Sequence, residues 1–338
     1  MTRVLVIVVT HNGMHWLDRC LGSVYADADL YVWDNDSVDG SADYVQQKYP
    51  DAKLIRSAEN LGFSIPNNKG MQYALDKGYD YVYLLNQDAW LEPGALEKLV
   101  AAADAHPEYG LLSPLQMTDG YEQLDKQFAK ILRRYAPQND SARVKRSSER
   151  PAEAVSDEGG LIGREPQGDN RGAEPTSTFD GRGRSEAEAI WGCVSPSEPV
   201  PVKFVMAAHW LVPTAVIRRI GLFNEELFPL WGQDDDWCHR LDFCGLKIGV
   251  VPEARAVHDR AYRKEEKETL VRRNYYTGSL VRLADPRKPV WASFLFVILF
   301  TFVKAVKYRS WLPFKYFRKV SNELPQVKRH RKTSRTRT

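Results

Sequence analysis

Three consecutive acidic residues, Asp234, Asp235 and Asp236, begin a predicted helix in the stretch "WGQDDDWCHRLDFCG". A carboxylate in such a place can act as a general base that takes the proton from an attacking hydroxyl. Negative charge at a helix N-terminus is also favourable in itself, by about 0.3–1 kcal/mol per residue. The residue types alone therefore allow either a catalytic or a structural role.

Helical spacing separates the three carboxylates. At about 100° per residue they fan across about 200°, so they cannot all face one ligand. Asp236 lies four residues before Arg240 and can pair with it along the helix. Asp234 has Cys238 at the equivalent position, which leaves it without a charged neighbour there and suits it to be the base. The residues expected to contact an acceptor are Asp236, Trp231 and Trp237.

Two more acidic residues follow predicted buried strands. Asp34 ends the run "DLYVWD", and Asp88 comes two residues after "YVYLLN". The carboxyl ends of parallel strands meet at one edge of a sheet, where such folds bind nucleotides. A carboxylate there suits Mg²⁺ or Mn²⁺, whose other ligands are water and phosphate oxygens. Each residue could instead start a turn or cap a helix.

The elements that must position these residues alternate along the first part of the chain between β-rich and helix-periodic segments. This alternation predicts an α/β fold with a mostly parallel sheet flanked by helices. The apolar run at 4–9 is too short for a signal peptide and is assigned to the first strand. The predicted strands are 4–10, 29–34, 52–56, 81–86 and 110–114, and the predicted helices are 16–25, 41–49, 67–77 and 95–106.

Composition and motifs exclude several classes of protein. The chain has 338 residues, 43% of them hydrophobic, which is enough for a large core. Its four cysteines form no CxxC pair, so neither a zinc knuckle nor a disulfide framework is expected. No GxGxxG follows the first strand and no GxxxxGK[ST] occurs, which argues against a dinucleotide fold and a P-loop. A phosphate-bearing ligand would therefore need a metal ion in place of a glycine cradle.

We divide the chain into four parts. Residues 1–118 form the first half of an α/β domain, and residues 201–285 form its second half, which contains the three acidic residues of the helix start. Residues 119–200 are an insertion in which Gly, Ser, Glu, Arg and Pro dominate from about 137, a composition typical of disorder. The alternative is a loop that gates the acceptor and orders on binding. Residues 286–338 form a helix and a basic tail.

The C-terminal part joins an apolar segment to a basic one. Residues 290–303 are fourteen uncharged residues, fewer than the roughly 20 that span a bilayer. From Lys304 to Thr338 the chain has twelve Lys and Arg residues and one acid. This pattern predicts a helix at the inner face of the cytoplasmic membrane, attracted to acidic lipid. A core helix with a solvated tail is the alternative. Nucleic acid is not an expected partner, because no nucleic-acid-binding motif accompanies the basic residues.

Several stretches, taken in order, resemble glycosyltransferase family 2, the inverting nucleotide-sugar enzymes of the GT-A fold. They are "VVTHNGMHWLDRCLGSV", "VWDNDSVDGS", "ENLGFSIPNNKGMQYAL", "LLNQDAWLEPGALEKL" and the segment from "IGLFNEELF" to "PEARAVH". The resemblance is greatest to the rhamnosyltransferase and galactofuranosyltransferase-like branch, which decorates bacterial cell-surface polysaccharides. It implies a dTDP- or UDP-linked donor and a glycan or lipid-linked acceptor.

The resemblance also implies roles for individual residues. Asp234 matches the catalytic base, in agreement with the helical spacing. Asp88 and His258 match the metal site, which would hold Mg²⁺ or Mn²⁺. The nucleotide-sugar-binding residues would be Thr10, Asn12, Asp34, Asn35, Asn60, Gly62, Phe63, Asn67, Asn86 and Gln87.

Two other functions compete with glycosyl transfer. A sugar-1-phosphate nucleotidyltransferase is also an α/β, metal-using enzyme, but the glycine-rich basic loop expected at its N-terminus is missing from "VVTHNGMHW". A non-catalytic protein that binds nucleotide sugars would keep the ligand contacts without turnover. In its favour is Gln233, which stands where the family has an acid before the catalytic aspartate.

Overall fold

The computed structural model describes residues 2–120, 123–135, 198–259 and 267–337. The predicted insertion lies outside the described residues from 136 to 197. The α/β fold class is confirmed, and every predicted strand and helix of the first 118 residues is present, with ends shifted by at most a few residues.

The resemblance assigns residues 1–118 to a nucleotide-binding half and residues 201–285 to a catalytic half. The nucleotide-binding half begins with four parallel strands. β1 (Val4–Thr10) pairs with β2 (Asp29–Asn35) and β4 (Tyr81–Asn86), and β2 pairs with β3 (Lys53–Ser57). β1 and β4 are buried along almost their whole length, as expected for strands covered on both faces. The covering helices are α1 (Met14–Gly22), α2 (Ser41–Lys48), α3 (Ser64–Lys77) and α4 (Ala95–Ala105).

Beyond β4 the sheet is mixed. Its further strands are β5 (Ala89–Leu91), β6 (Tyr109–Met117), β7 (Val200–Val202), β8 (His209–Pro213) and β9 (Lys247–His258). The strand order is β3-β2-β1-β4-β8-β6-β9-β5, and β7 also pairs with β9. β6 runs parallel to β9, whereas β8 is antiparallel to both β4 and β6 and so joins the two halves in one continuous sheet. The helices of this part are α5 (Lys126–Tyr135), α6 (Thr214–Ile220) and α7 (Gln233–Phe243).

The C-terminal part is helical and folds back onto the catalytic half. A helical segment consists of α8 (Lys267–Val271), a π-helical stretch (Arg272–Thr277) and α9 (Gly278–Ala284). The basic tail, expected to be loose in one interpretation, instead forms helices that pack against this segment. They are α10 (Val290–Tyr308), α11 (Leu312–Asn322) and α12 (Leu324–Thr336).

Helix α10 buries hydroxyl side chains and exposes large apolar ones, the opposite of a core helix. Ser293 and Thr301 are buried, and Thr301 lies 2.6 Å from the Tyr275 hydroxyl. The opposite face exposes Trp291 (71%) and Val306 (78%). Among the described residues, α10 is the one helix long and apolar enough to cross a membrane. The uncharged run of fourteen residues is therefore part of a helix of 19 residues.

Helix α3 packs closely on the first strand at Gly70. A Cβ at this position would lie 2.8 Å from both Cδ1 and Cγ2 of Ile7, which is fully buried in β1. Gly278 is the matched case, because it is also helical and a Cβ there would have no neighbour within 4 Å. The absence of a side chain at Gly70 thus sets the distance between α3 and the sheet.

We expect opposite effects from alanine at these two glycines. Gly70→Ala should lower the free energy of unfolding by about 1–3 kcal/mol, because the rigid, β-branched Ile7 cannot move aside in a packed core. Gly278→Ala should raise it by about 0.5–1 kcal/mol through helix propensity alone. Urea unfolding of the two variants measures both, and equal changes would contradict the close packing of α3.

Candidate active site

The carboxyl edge of the parallel strands is organised around Gln87. Its Oε1 accepts hydrogen bonds from the Thr10 hydroxyl and from the His11 backbone N–H, both at 2.8 Å. The fully buried Thr10 lies opposite Asp34 in the register of β1 and β2. One amide side chain thus connects the ends of two neighbouring strands.

The loop after β2 supplies the next group of polar atoms. Asp34 is buried, and its Oδ2 accepts a hydrogen bond from the backbone N–H of Ser37 (3.2 Å). Its Oδ1 is also buried, and within the described part of the chain it has no hydrogen-bond partner. Asn12 joins the two loops, since its N–H donates to Ser37 Oγ and its Oδ1 accepts from Val38 N–H, both at 2.9 Å.

An amide pair shapes the loop between β3 and α3. Asn35 Nδ2 donates to Asn60 Oδ1 (2.9 Å) and to the Gly62 carbonyl (2.8 Å). Asn67 Nδ2 donates in turn to the Phe63 carbonyl (2.8 Å). Five predicted nucleotide-sugar residues are therefore held in two hydrogen-bonded groups, and the loop containing Gly62 is fixed beside the strand edge.

This loop is also fixed to the catalytic half. The Pro229 carbonyl accepts hydrogen bonds from the N–H groups of Phe63 (2.9 Å) and Ser64 (3.0 Å). Gly62 adopts φ +76°, and a Cβ there would lie 2.8 Å from the same carbonyl oxygen. Glycine meets both requirements, a left-handed backbone and a close approach.

These groups surround a cleft of about 230 Å³. It opens between the strand edge and the catalytic half, from which Ala207 and Leu230 complete the wall. The predicted residues that line it are Asn35, Asn60, Gly62, Phe63, Asn67, Asn86, Gln87 and Asp88.

Asp88 and His258 meet at one end of this cleft. His258 Nε2 lies 3.4 Å from Asp88 Oδ1, and both side chains are nearly buried. They are brought together because β5 pairs with β9, which places Ala89 opposite His258. No group of three or more potential ligands occurs among the described residues, so a cation here would take most of its ligands from substrate and water. The carboxylate and the imidazole fit such a cation.

Asp234 lies in the first turn of α7, beside the cleft wall. Its Oδ1 accepts a hydrogen bond from the backbone N–H of Asp235 (3.0 Å), and its carboxylate also interacts with the backbone of Ala207, which lines the cleft. Burial raises the pKa of Asp234 above its ordinary value, against the opposing effect of these backbone interactions. A carboxylate in this state binds a proton more strongly than an exposed one.

Two of the three residues predicted to bind the acceptor do not have the required exposure. Trp237 is 1% exposed, packs on Trp210 and donates from Nε1 to the Gly221 carbonyl (2.9 Å), so it belongs to the core. Asp236 is fully buried. Burial by itself would raise the pKa of Asp236, but Arg240 and His330 hold it below its ordinary value. The acceptor assignments of Trp237 and Asp236 are therefore wrong.

Trp231 remains a candidate for acceptor contact. It is half-buried, and the guanidinium of Arg272 lies 5.7 Å from its ring centroid. The sequence interpretation missed His11, which lines the cleft and donates from Nδ1 to the Asn35 carbonyl (2.9 Å). Its place in "VVTHNG" was a usable signal. Ala207 and Leu230 had none, because small and apolar residues carry no chemical signature.

Comparison with known proteins identifies the fold and the reaction. Residues 5–125 match the family model of glycosyl transferase family 2. The chain is 26% identical over 307 residues to N-acetylglucosaminyl-diphospho-decaprenol L-rhamnosyltransferase of Mycobacterium tuberculosis, in two strains, covering 86% of this chain and 87% of the relative.

Solved structures share the fold at low sequence identity. Staphylococcus aureus TarS matches with a TM-score of 0.50 and 13% identity, over 87% of this chain and 42% of that one. GalNAc-T7, solved with UDP, GalNAc and Mn²⁺, matches with a TM-score of 0.51 and 15% identity, over 96% of this chain and 58% of that one. These likenesses support the GT-A architecture alone. Residues 5–125 are thus similar to glycosyl transferase family 2, and the chain is a glycosyltransferase with a GT-A-type fold.

Proposed function

We propose that this enzyme transfers a sugar, with inversion, from a dTDP- or UDP-linked donor to a hydroxyl of a lipid-linked or glycan acceptor. The observation that carries the reaction is the position of Asp234, whose carboxylate lies against the cleft wall at Ala207. The name of the mycobacterial relative supports L-rhamnose as the sugar and a polyprenyl diphosphate sugar as the acceptor. The product belongs to cell-wall polysaccharide synthesis.

Asp234 acts as the general base in this proposal. Its carboxylate takes the proton of the acceptor hydroxyl while that oxygen bonds to the anomeric carbon of the donor sugar. The bond between the anomeric carbon and the diphosphate oxygen breaks, and the nucleoside diphosphate leaves with the electron pair. The raised pKa of Asp234 favours proton transfer, because a base is more effective when its pKa approaches the working pH.

The strand edge holds the nucleotide. Asp34 contacts the base, and the residues fixed around Asn35 and Gly62 face the diphosphate and the sugar. These groups are largely neutral amides and backbone N–H groups, so the diphosphate charge needs another counter-charge. Asp88 and His258 would hold Mg²⁺ or Mn²⁺ for this purpose. The cation supplies positive charge that stabilises the leaving diphosphate.

The C-terminal helices seat the enzyme on acidic lipid at the inner face of the cytoplasmic membrane. The exposed apolar face of α10 is continued by Trp311, which is 81% exposed. Helix α11 runs alongside α10, with Phe314 packed on Phe302 and Phe317 on Phe294. Because α11 also carries lysines and an arginine, a hairpin lying in the membrane surface fits these helices better than a single spanning helix.

Basic residues border this apolar face. They are Lys304, Lys307, Arg309, Lys315, Arg318 and Lys319. Each basic residue near an anionic surface contributes about 1 kcal/mol of attraction. The combination of apolar face and basic border matches an anionic lipid surface.

Replacing the proposed base should abolish transfer without loss of donor binding. We expect Asp234→Asn to lower kcat by about 10²–10⁴-fold, the usual contribution of a general base. Asp235→Asn is the matched control and should retain most of the activity. The assay uses dTDP-L-rhamnose and UDP-N-acetylglucosamine with a short-chain N-acetylglucosaminyl diphosphate lipid, and nucleotide affinity is measured by calorimetry. In wild-type enzyme kcat should fall as the pH drops through the raised pKa of Asp234. Full activity of Asp234→Asn would exclude this residue as the base.

Removing the imidazole should weaken cation-dependent nucleotide binding. We expect His258→Ala to lower the affinity for UDP with Mn²⁺ by about tenfold, equivalent to about 1.4 kcal/mol. His106→Ala, a partly buried histidine elsewhere, should leave it unchanged. Calorimetry with Mn²⁺ and with EDTA separates the UDP binding that depends on the cation from the binding that does not. Equal Mn²⁺ dependence in His258→Ala and wild type would refute the assignment of His258.

A charge on the apolar face should detach the enzyme from lipid. We expect Leu299→Glu to reduce sedimentation with phosphatidylglycerol vesicles strongly, because Leu299 is 67% exposed at the centre of the face. Val38→Glu, at a residue 88% exposed elsewhere, should bind like wild type. Phosphatidylcholine vesicles should bind the wild-type enzyme less, since they lack the anionic charge. Unchanged vesicle binding of Leu299→Glu would contradict the proposal that this face of α10 binds the membrane.

A further inference from the structure

A buried charge cluster joins the catalytic helix to the C-terminal helix. Asp236 is fully buried in α7, and both of its carboxylate oxygens are engaged. Arg240 Nε donates to Oδ2 (2.9 Å), and His330 Nε2 lies 2.7 Å from Oδ1. Arg240 belongs to the same helix, whereas His330 comes from α12, 94 residues later. The cluster is thus a tertiary contact made by one side chain of the tail.

This contact lies on the back of the helix that carries the base. Asp236 follows Asp234 by two residues, so the two side chains point about 200° apart around the axis. Asp234 lies next to the backbone of Ala207, which lines the cleft, while Asp236 faces α12. Any rotation of α7 that loosened Asp236 would swing Asp234 away from the cleft wall.

The partners of Asp236 are themselves firmly held. Arg240 donates its other nitrogens to the carbonyls of Ile220 (2.9 Å) and Leu222 (3.0 Å). On α12, the buried Arg331 donates to the Leu283 carbonyl (2.9 Å) at the end of α9. His330 therefore projects from α12 at a point where that helix is fixed to the end of α9, so its ring is held in place.

We propose that His330 is a positioning residue for catalysis, which binds the Asp236 carboxylate and thereby fixes the rotation of α7 that aims Asp234 into the cleft. The inference rests on the proposed role of Asp234 as the base. It makes the C-terminal helix part of the catalytic machinery as well as a neighbour of the membrane-binding surface. His330 itself touches neither donor nor acceptor.

The test separates positioning from general stability. In the full-length enzyme, His330→Ala should lower kcat about tenfold while the KM for donor and the affinity for UDP stay at wild-type values. His330→Gln keeps an N–H donor near the position of Nε2 and should recover most of the lost kcat. Lys332→Ala, on the exposed side of α12, is the matched control and should have wild-type kinetics. All rates are measured well below the unfolding temperature of each variant.

A double-mutant cycle shows whether His330 acts through Asp236. If it does, the losses in kcat from Asp236→Asn and His330→Ala are not additive, because both break the same contact. Wild-type kcat in His330→Ala overturns the inference, as does a fall in kcat that His330→Gln fails to reverse. Additive losses overturn it too. A wild-type enzyme without transfer activity would instead refute the proposed function, so the two failures are distinguishable.

Discussion

The Pro229 carbonyl holds the two halves of the protein together beside the candidate cleft. It accepts two backbone hydrogen bonds from the start of α3 and contacts the glycine loop so closely that a Cβ at Gly62 does not fit. One side of this contact belongs to the proposed donor site, and the other leads within five residues to Asp234. In the proposed reaction the acceptor oxygen that loses its proton attacks the anomeric carbon from which the diphosphate departs, so the two halves need a fixed separation. Much of the amide network around Asn35 serves to maintain it.

The sequence predicts the nucleotide-binding half well because local and global signals agree there. The strands are apolar along their length, and polar residues mark their carboxyl ends, so Thr10, Asp34 and Asp88 fall on one edge by topology alone. The antiparallel strand β8 joins the two halves, but no comparable sequence pattern predicts its position. The local hydrophobic pattern does not show which distant segments pair. The errors at Trp237 and Asp236 have the same origin. Trp237 is amphipathic, Asp236 is polar, and both are close to the proposed base in sequence. Only the tertiary packing shows that their side chains face inward.

The length of α10 also could not be predicted from the hydrophobic pattern. An uncharged run ends at Lys304, yet the helix continues to Tyr308, because lysine is a good helix former and its long side chain can reach water from an apolar surface. The burial of Ser293 and Thr301 is equally invisible in composition. The Thr301 hydroxyl is hydrogen-bonded to the Tyr275 hydroxyl and to the Val297 carbonyl of its own helix, which satisfies it. The buried Ser293 hydroxyl has no hydrogen-bond partner among the described residues.

The proposed binding of α10 to the lipid surface would change the search for the acceptor from three dimensions to two. An enzyme seated in the lipid surface searches for a lipid-linked acceptor within a plane, where the effective concentration of that acceptor far exceeds its average in the cell. The donor still arrives from the aqueous phase. Tight binding of the acceptor headgroup is then unnecessary, and the cleft can devote its specificity to the nucleotide sugar. Competition between different acceptors would depend on their density in the membrane as much as on contacts with the protein.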